Sequence, residues 1–107
     1  MASVPASIDV FAAISAPTRR AILSQLAEKE MPVLALAESF EMTLPAVSQH
    51  LAILREAGLV KVHKAGRQRI YRLSPEPLKA VSDWVSTYEK FWNEKLAALG
   101  EYLEKNP

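Results

Sequence analysis

The chain has no cysteine and only three glycines in its 107 residues. The absence of cysteine excludes disulfides, thiolate metal ligands and thiol redox sensing. No apolar run approaches the length of a membrane span, so we expect no membrane association. The N-terminal segment MASVPASIDV lacks a basic region followed by a long apolar one, so we expect no signal peptide and a cytoplasmic location. The length predicts a single domain over residues 1–107.

Catalytic machinery is also missing from the sequence. There is no Gly-rich phosphate-binding loop and no nucleophile beside a plausible base. A chain of this length also leaves no room for a separate catalytic domain. We therefore expect neither an enzyme nor a bound cofactor.

Positive charge is concentrated in the middle of the chain, although the formal net charge is only +1. Residues 43–74 contain six basic residues and one acidic residue, whereas acidic residues outnumber basic ones by two in both 1–42 and 75–107. Such a local surplus in a nearly neutral protein is typical of nucleic-acid binding. The alternative is a solvated hairpin with ordinary surface charges.

The segment that begins this basic region predicts an amphipathic helix over residues 43–57. Four apolar residues fall on one side at helical spacing: Leu44, Val47, Leu51 and Leu54. Small or polar residues fall roughly opposite: Pro45, Ser48, Gln49, Ala52 and Glu56. Thr43 can cap the start of the helix, and Gly58 can end it. Slim side chains and a few hydrogen-bonding groups suit a helix that enters the major groove of DNA.

The remaining elements follow from apolar periodicity and turn residues. Helices are predicted over 10–14, 18–28 (with Pro17 suited to the first turn) and 32–40, and the third forms a helix-turn-helix with the helix over 43–57. Residues 59–73 predict a basic hairpin, or wing, that turns at Ala65-Gly66, and residues 75–105 predict one long final helix. The fold class is therefore mostly α with a small β-hairpin, in the order α-α-α-α-β-β-α, which is a winged helix-turn-helix.

The final helix carries an apolar face that is wider than a domain of this size can cover. The simplest cover is the same helix of a twofold partner, so we predict a homodimer. The predicted dimer contacts come from the first and last helices: Phe11, Ile14, Val81, Trp84, Val85, Tyr88, Phe91, Trp92, Leu96 and Leu99. The aromatic residues among them either pack the dimer or line a pocket for a small organic ligand between the two final helices.

Over nearly its whole length the chain resembles the ArsR/SmtB family of small dimeric winged-helix repressors. The resemblance rests on PTRRAIL at 17–23, VSQHL at 47–51 with LREAGLV at 54–60, and GR at 66–67 with YRL at 71–73. It implies a recognition helix over 43–57, a wing over 59–73 and dimerisation through 75–105. Ala16 departs from the family pattern, which commonly has an acidic helix cap at this place.

The recognition helix and the wing supply the candidate DNA contacts. Gln49 either reads a base, since its amide can donate and accept at an adenine edge, or is an exposed residue without a specific contact. Arg67, near the wing tip, is the candidate for the minor groove. His50 either binds a phosphate or makes a hydrogen bond within the domain. The other candidates bind phosphates or allow close approach: Thr43, Pro45, Ala46, Ser48, Lys64, Gln68 and Arg69.

Metal sensing occurs in the family but is not expected in this chain. The resemblance implies that a sensor would carry cysteines on the third or fourth helix, or clustered Asp and His on the last. The two histidines here, His50 and His63, have no second imidazole or carboxylate at ligand spacing. Asp83, Glu89 and Glu94 on the final helix have no histidine partner.

The sequence thus predicts a dimeric, sequence-specific DNA-binding repressor that does not respond to metal. Its double-stranded operator is expected to be pseudo-palindromic, with half-sites about one helical turn apart. The alternative is a winged helix used for protein–protein association without specific DNA binding, which leaves the central positive charge unexplained. The regulating signal is open between an organic ligand, a protein partner and the repressor's own concentration.

Overall fold

The structure is a computed structural model that describes residues 9–106. Its elements are α1 (Val10–Ala13), α2 (Pro17–Glu28), β1 (Met31–Pro32), α3 (Val33–Phe40), α4 (Leu44–Glu56), β2 (Val60–Ala65), β3 (Gln68–Leu73), α5 (Leu78–Ser86) and α6 (Glu89–Lys105). The predicted fold, mostly α with a small antiparallel β part, is confirmed. The expectation that the N-terminus is not a signal peptide concerns mainly residues 1–8, which lie outside the described residues.

The wing is the hairpin of β2 and β3, which pair antiparallel along their whole lengths. Ala65 pairs with Gln68, so the turn is Gly66-Arg67, one residue later than the predicted turn. Gly66 has a φ of 65°, while Arg67 has no positive φ. A positive φ at only the first turn position is the type II′ pattern, which favours glycine there and matches the twist of the strands.

A third strand, β1, is absent from the sequence prediction. Met31 pairs with Tyr71 and Pro32 with Ile70, so the strand order is β1-β3-β2. Pro32 does not begin α3 as expected: its backbone is extended, and the helix begins at Val33. A two-residue strand is too short to show a periodic pattern, and an edge strand tolerates the missing N–H of proline. β1 attaches the start of α3 to the wing.

The core lies between α2, α3, α4 and the sheet. Its largest fully buried side chains are Ile22, Leu36, Val47, Leu51, Leu54 and Leu59. The apolar face predicted for α4 is therefore buried, except that Leu44 is 42% exposed, and Leu34 on α3 is 55% exposed. Both leucines belong to the first turn of their helices.

The prediction of one continuous helix over 75–105 is wrong, because Thr87 and Tyr88 separate α5 from α6. The hydroxyls of Ser86 and Thr87 each donate at 2.7 Å to a backbone carbonyl three residues earlier, those of Asp83 and Trp84. The backbone N–H of Thr87 also donates to Trp84. These hydrogen bonds join residues that are three apart, so the last turn of α5 is tighter than an α-helical turn, and the helix is interrupted there.

α5 packs against α1 through Trp84, and neither α5 nor α6 contains a buried residue. The radius of gyration is 18.6 Å, whereas a compact chain of this length has a value of about 13 Å. Large apolar side chains on the two helices and at the break between them are at least 42% exposed: Trp84, Val85, Tyr88, Phe91, Trp92, Leu96, Leu99, Tyr102 and Leu103. Among residues 9–106, no helix combines the length and apolar character that a membrane span needs.

Candidate nucleic-acid interface

α4 presents a defined outer face because its opposite side is fixed in the core. Val47, Leu51 and Leu54 are buried there. Thr43 caps the helix, since its side chain accepts a hydrogen bond from the backbone N–H of Ala46 at 3.3 Å. Every residue of the predicted outer face is exposed: Pro45, Ser48, Gln49, Ala52 and Glu56. The rotation of α4 about its axis is therefore set by the core, and the slim face points to solvent.

A tightly bonded turn leads from α3 into α4. Glu41 has a φ of 53° and a ψ of 41°, and its backbone N–H donates to the carbonyl of Glu38. The N–H of Met42 donates to the carbonyl of Ala37 at 3.0 Å. This Schellman arrangement satisfies the last carbonyls of α3, and the Met42 side chain packs against the core. The two helices are thus held as a helix-turn-helix.

The wing tip carries the second part of the candidate interface. Lys64 pairs with Arg69 across the hairpin, and Arg67 occupies the turn. The four predicted wing residues are all exposed: Lys64, Arg67, Gln68 and Arg69. Within residues 9–106 the acidic side chains that contact a basic one are Asp83, with Lys79, and Glu30, with His63, so no described carboxylate neutralises the cations of the tip. This positive charge is available to phosphates.

The positive charge at the base of the wing is partly balanced. The buried hydroxyl of Ser74 donates to the Glu76 carboxylate at 2.7 Å, and the backbone N–H of Ser74 donates to Leu59. The Ser74 hydrogen bond, a backbone hydrogen bond and the charges of Lys61 and Arg72 hold the pKa of Glu76 below its ordinary value. Lys61 and Arg72 therefore interact with the Glu76 carboxylate, just after the wing. The cations of the wing tip are not among the charges that act on Glu76.

The structure gives His50 a hydrogen-bond partner that the sequence prediction did not identify. Nδ1 of His50 lies 3.4 Å from Nη1 of Arg19, which is on α2. The predicted hydrogen bond within the domain is thus present, and a phosphate contact of His50 stays a prediction. Arg19 was visible in the sequence only as part of the PTRRAIL segment, because its partner lies 31 residues further along the chain.

His63 has an acidic neighbour that is distant in the sequence. Its Nε2 lies 3.4 Å from Oε1 of Glu30, and the two side chains are 46% and 51% exposed. Glu30 directly precedes β1, so the unpredicted strand brings it to the sheet. Within the described part of the chain, no group of three or more His, Cys, Asp or Glu side chains could hold a metal ion. The His63–Glu30 pair links the residue before β1 to the wing.

The predicted dimer contacts include a row of aromatic rings. Phe11 and Trp84 have ring centroids 5.8 Å apart, Trp84 and Tyr88 5.5 Å, and Tyr88 and Phe91 6.4 Å. Two predicted contacts, Ile14 and Val81, are half-buried within the single chain, and the others are exposed: Phe11, Trp84, Val85, Tyr88, Phe91, Trp92, Leu96 and Leu99. The row therefore lies uncovered along α5 and the start of α6.

Known proteins share this arrangement. The sequence profile of the bacterial regulatory protein, arsR family, matches residues 16–62, from the start of α2 into β2. The HTH-type transcriptional regulator Rv2034 of Mycobacterium tuberculosis is 36% identical, over 86% of this chain and 83% of that protein. The transcriptional repressor SdpR of Bacillus subtilis is 36% identical, over 75% of this chain and 89% of that protein. The chain belongs to the ArsR family of bacterial transcriptional regulators.

Solved structures agree with the fold of this ArsR-family protein. The crystal structure of an ArsR family transcriptional regulator has a TM-score of 0.67 at 36% identity, covering 78% of this chain and 91% of that one. An ArsR-like transcriptional regulator from Rhodococcus sp. RHA1 has a TM-score of 0.65 at 31% identity, covering 87% and 88%. The predicted family, the winged helix-turn-helix and a role in DNA-binding transcription regulation are thus confirmed, and no enzymatic activity is indicated.

Proposed function

We propose that this ArsR-family protein is a homodimeric repressor that reads a palindromic operator, with α4 in the major groove and the wing tip in the minor groove. One observation carries the proposal: the exposed, slim face of α4 belongs to the same domain as a basic wing tip without a described counter-charge. Side chains as small as those of Pro45, Ala46 and Ser48 let a helix approach base edges closely. Gln49, exposed on the same face, is then placed to read a base.

The wing and the helix start supply the phosphate contacts of this proposal. Arg67 enters the minor groove, while Lys64, Gln68 and Arg69 bind the flanking backbone. Thr43, Ser48 and the half-buried His50 bind phosphates near the start of α4. If a dimer neutralises about eight phosphates, the logarithm of its affinity falls with the logarithm of the salt concentration with a slope near −7.

A second copy of this chain is the proposed cover for the apolar face of α5 and α6. The support is the absence of buried residues on both helices and the row of exposed aromatic rings that runs along them. Large rigid rings are typical of the centre of protein interfaces. Twofold pairing through this face also gives two recognition helices, as a palindromic operator with half-sites about one helical turn apart requires.

The proposed repressor acts in the cytoplasm and does not respond to metal ions. The support is the absence of cysteine from the sequence and of a metal-binding cluster from the described residues. A small organic ligand between the two copies is the candidate signal, since the aromatic row of Trp84, Tyr88 and Phe91 suits an apolar compound. Titration of tryptophan fluorescence with apolar compounds tests this, and ligand binding that leaves DNA affinity unchanged would contradict a regulatory role.

In vitro selection from a library of random duplexes tests the proposed function and identifies the operator sequence in the same experiment. We expect an inverted repeat to be enriched, with half-site centres about 10 base pairs or a multiple apart, and to bind two chains per duplex. A stable homodimer that enriches no sequence would favour the alternative, a winged-helix association module without specific DNA binding.

A further inference from the structure

The guanidinium of Arg19, on α2, connects the end of α1 to the middle of α4. Nε donates to the carbonyl of Ala13 at 2.6 Å and Nη2 to that of Ala12 at 3.4 Å, both in the last turn of α1. Nη1 lies 3.4 Å from Nδ1 of His50. A planar guanidinium has five N–H donors in a fixed fork, so it can hold two elements in one relative arrangement.

Arg20 shows which part of this arrangement is special to Arg19. Its Nη1 donates to the carbonyl of Ile14, immediately after α1, at 2.7 Å. Among the described residues, no side-chain hydrogen bond joins Arg20 to α4. Both arginines therefore satisfy carbonyls at the end of α1, but only Arg19 extends that contact to the recognition helix.

A hydrogen bond between Arg19 and His50 requires one particular tautomer of the His50 ring. A guanidinium has no acceptor, so Nδ1 of His50 must accept, and the proton of the neutral ring lies on Nε2. His50 is half-buried between the core side of α4 and its outer face, and it follows Gln49 directly. Holding His50 therefore holds the recognition helix beside the residue proposed to read a base.

The other end of α1 contacts the face proposed to bind the second copy. We define the α1–α5 face by Phe11, Trp84 and Tyr88, whose rings pack in series with centroids 5.8 and 5.5 Å apart. Phe11 lies on α1, directly before Ala12 and Ala13, whose carbonyls accept hydrogen bonds from Arg19. Contacts thus run without interruption from the α1–α5 face through α1 and Arg19 to His50.

We propose that Arg19 is a positioning residue that couples the α1–α5 face to the recognition helix. In this proposal Arg19 acts on DNA binding through His50 and not through a contact of its own with DNA. A displacement of α1, caused by the second copy or by a ligand at that face, moves the guanidinium and with it the placement of His50. The proposal rests on the proposed function, because it takes α4 as the helix that reads DNA.

The coupling is tested by measuring how much Arg19→Gln weakens binding to the duplex enriched by selection. The substitution is made in three backgrounds: the wild type, His50→Asn and His50→Leu. We expect an affinity loss of about tenfold in the wild type and in His50→Asn, whose Oδ1 keeps an acceptor at the place of Nδ1. In His50→Leu, which has no acceptor, we expect a further loss of less than about twofold, because the link is already broken. Arg20→Gln is the matched control, with a loss below about twofold in the wild type.

Three results would overturn the proposal: no effect of Arg19→Gln in the wild type, an equal effect in the His50→Leu background, or an equal effect of Arg20→Gln. The last result would mean that the carbonyls of α1 alone explain the loss. A spatial chain of contacts is not by itself evidence of coupling, and these backgrounds measure the coupling directly.

Two NMR measurements on the protein without DNA separate this inference from the proposed function. At about pH 8, long-range ¹H–¹⁵N spectra are expected to show His50 with its proton on Nε2 and to change with Arg19→Gln but not with Arg20→Gln. The chemical shift of the Trp84 indole N–H is expected to change when His50→Leu is introduced into the wild type. No change is expected when His50→Leu is introduced into Arg19→Gln. A proton on Nδ1, or a Trp84 signal that moves equally without Arg19, would overturn the coupling even in a protein that binds its operator. If no duplex is enriched, the proposed function fails, and these spectra decide the link alone.

Discussion

Phe11 and Trp84 meet edge to face, with ring centroids 5.8 Å apart and an interplanar angle of 86°. The contact joins α1 to α5, and the row of rings continues from Trp84 to Tyr88 and Phe91. Trp84 nevertheless remains 55% exposed. Part of the indole thus serves the fold of the single chain, and the rest is available to a second copy.

Trp84→Ala is expected to weaken the proposed homodimer by about 2 kcal/mol, roughly thirtyfold in Kd, because large aromatic residues at the centre of an interface contribute most of its binding energy. Sedimentation velocity over a range of concentrations measures the Kd. Leu34→Ala is the control, since Leu34 is also 55% exposed but lies on α3. An unchanged dimer Kd in Trp84→Ala, or an equal loss in Leu34→Ala, would argue against the α5–α6 interface.

Arg67→Ala is expected to flatten the salt dependence of operator binding. Each wing loses one cation, so the slope of log Kd against log salt falls by about two in a dimer. Fluorescence anisotropy at a series of salt concentrations measures this slope. Lys90→Ala, which removes an exposed cation from α6, is the matched control and should leave the slope unchanged. A wild-type slope in Arg67→Ala would exclude this residue from the phosphate contacts.

Ala16→Asp is expected to raise the free energy of unfolding by about 1 kcal/mol. Ala16 has the extended backbone of a helix cap, with φ −92° and ψ 128°, but no side-chain hydrogen bond. The hydroxyl of Ser15, the preceding residue, donates to the carbonyl of Ala12. Urea denaturation at one fixed protein concentration measures the gain. Ala16→Asn supplies the hydrogen bond without the charge and should give most of the gain in free energy of unfolding. The expectation is contradicted if neither variant is more stable than the wild type.

Glu76→Gln is expected to destabilise the fold at neutral pH and to have less effect in acid. In the folded chain the Ser74 hydrogen bond lowers the pKa of Glu76 from its ordinary value of 4.5. A carboxyl whose folded pKa is depressed contributes stability above its unfolded pKa, and the contribution is lost as the pH falls through the folded pKa. Urea denaturation of both proteins at pH 7 and at about pH 3 measures the difference. If the wild type and the variant differ in free energy of unfolding by the same amount at both pH values, the charge of Glu76 does not contribute as expected.

The elements with local patterns could be predicted from the sequence. The buried face of α4 follows from the spacing of Val47, Leu51 and Leu54, and burial of one side of a helix fixes what the other side exposes. The hairpin follows from alternation and from a glycine at its turn. The candidate DNA residues of α4 were therefore found together with the helix itself.

The features that depend on contacts between distant segments could not be predicted. β1 is only two residues long and exists because β3 offers it an edge, and the neighbours of His63 and His50 come from other elements. The break between α5 and α6 has a local cause, the hydroxyls of Ser86 and Thr87, but the strong apolar period of the segment obscured it. Leu34 and Leu44 show the same limit, because periodicity does not reveal where a core ends.

The central claim is that the outer face of α4 reads a DNA sequence, and the ratio of affinities for the selected duplex and a scrambled one tests it most directly. At one fixed, stated salt concentration, we expect the wild type to prefer the selected duplex by about a thousandfold or more. Gln49→Ala should reduce this ratio by about tenfold while leaving affinity for the scrambled duplex within about twofold. A wild-type ratio near unity, or a Gln49→Ala variant that weakens both duplexes equally, would contradict the claim.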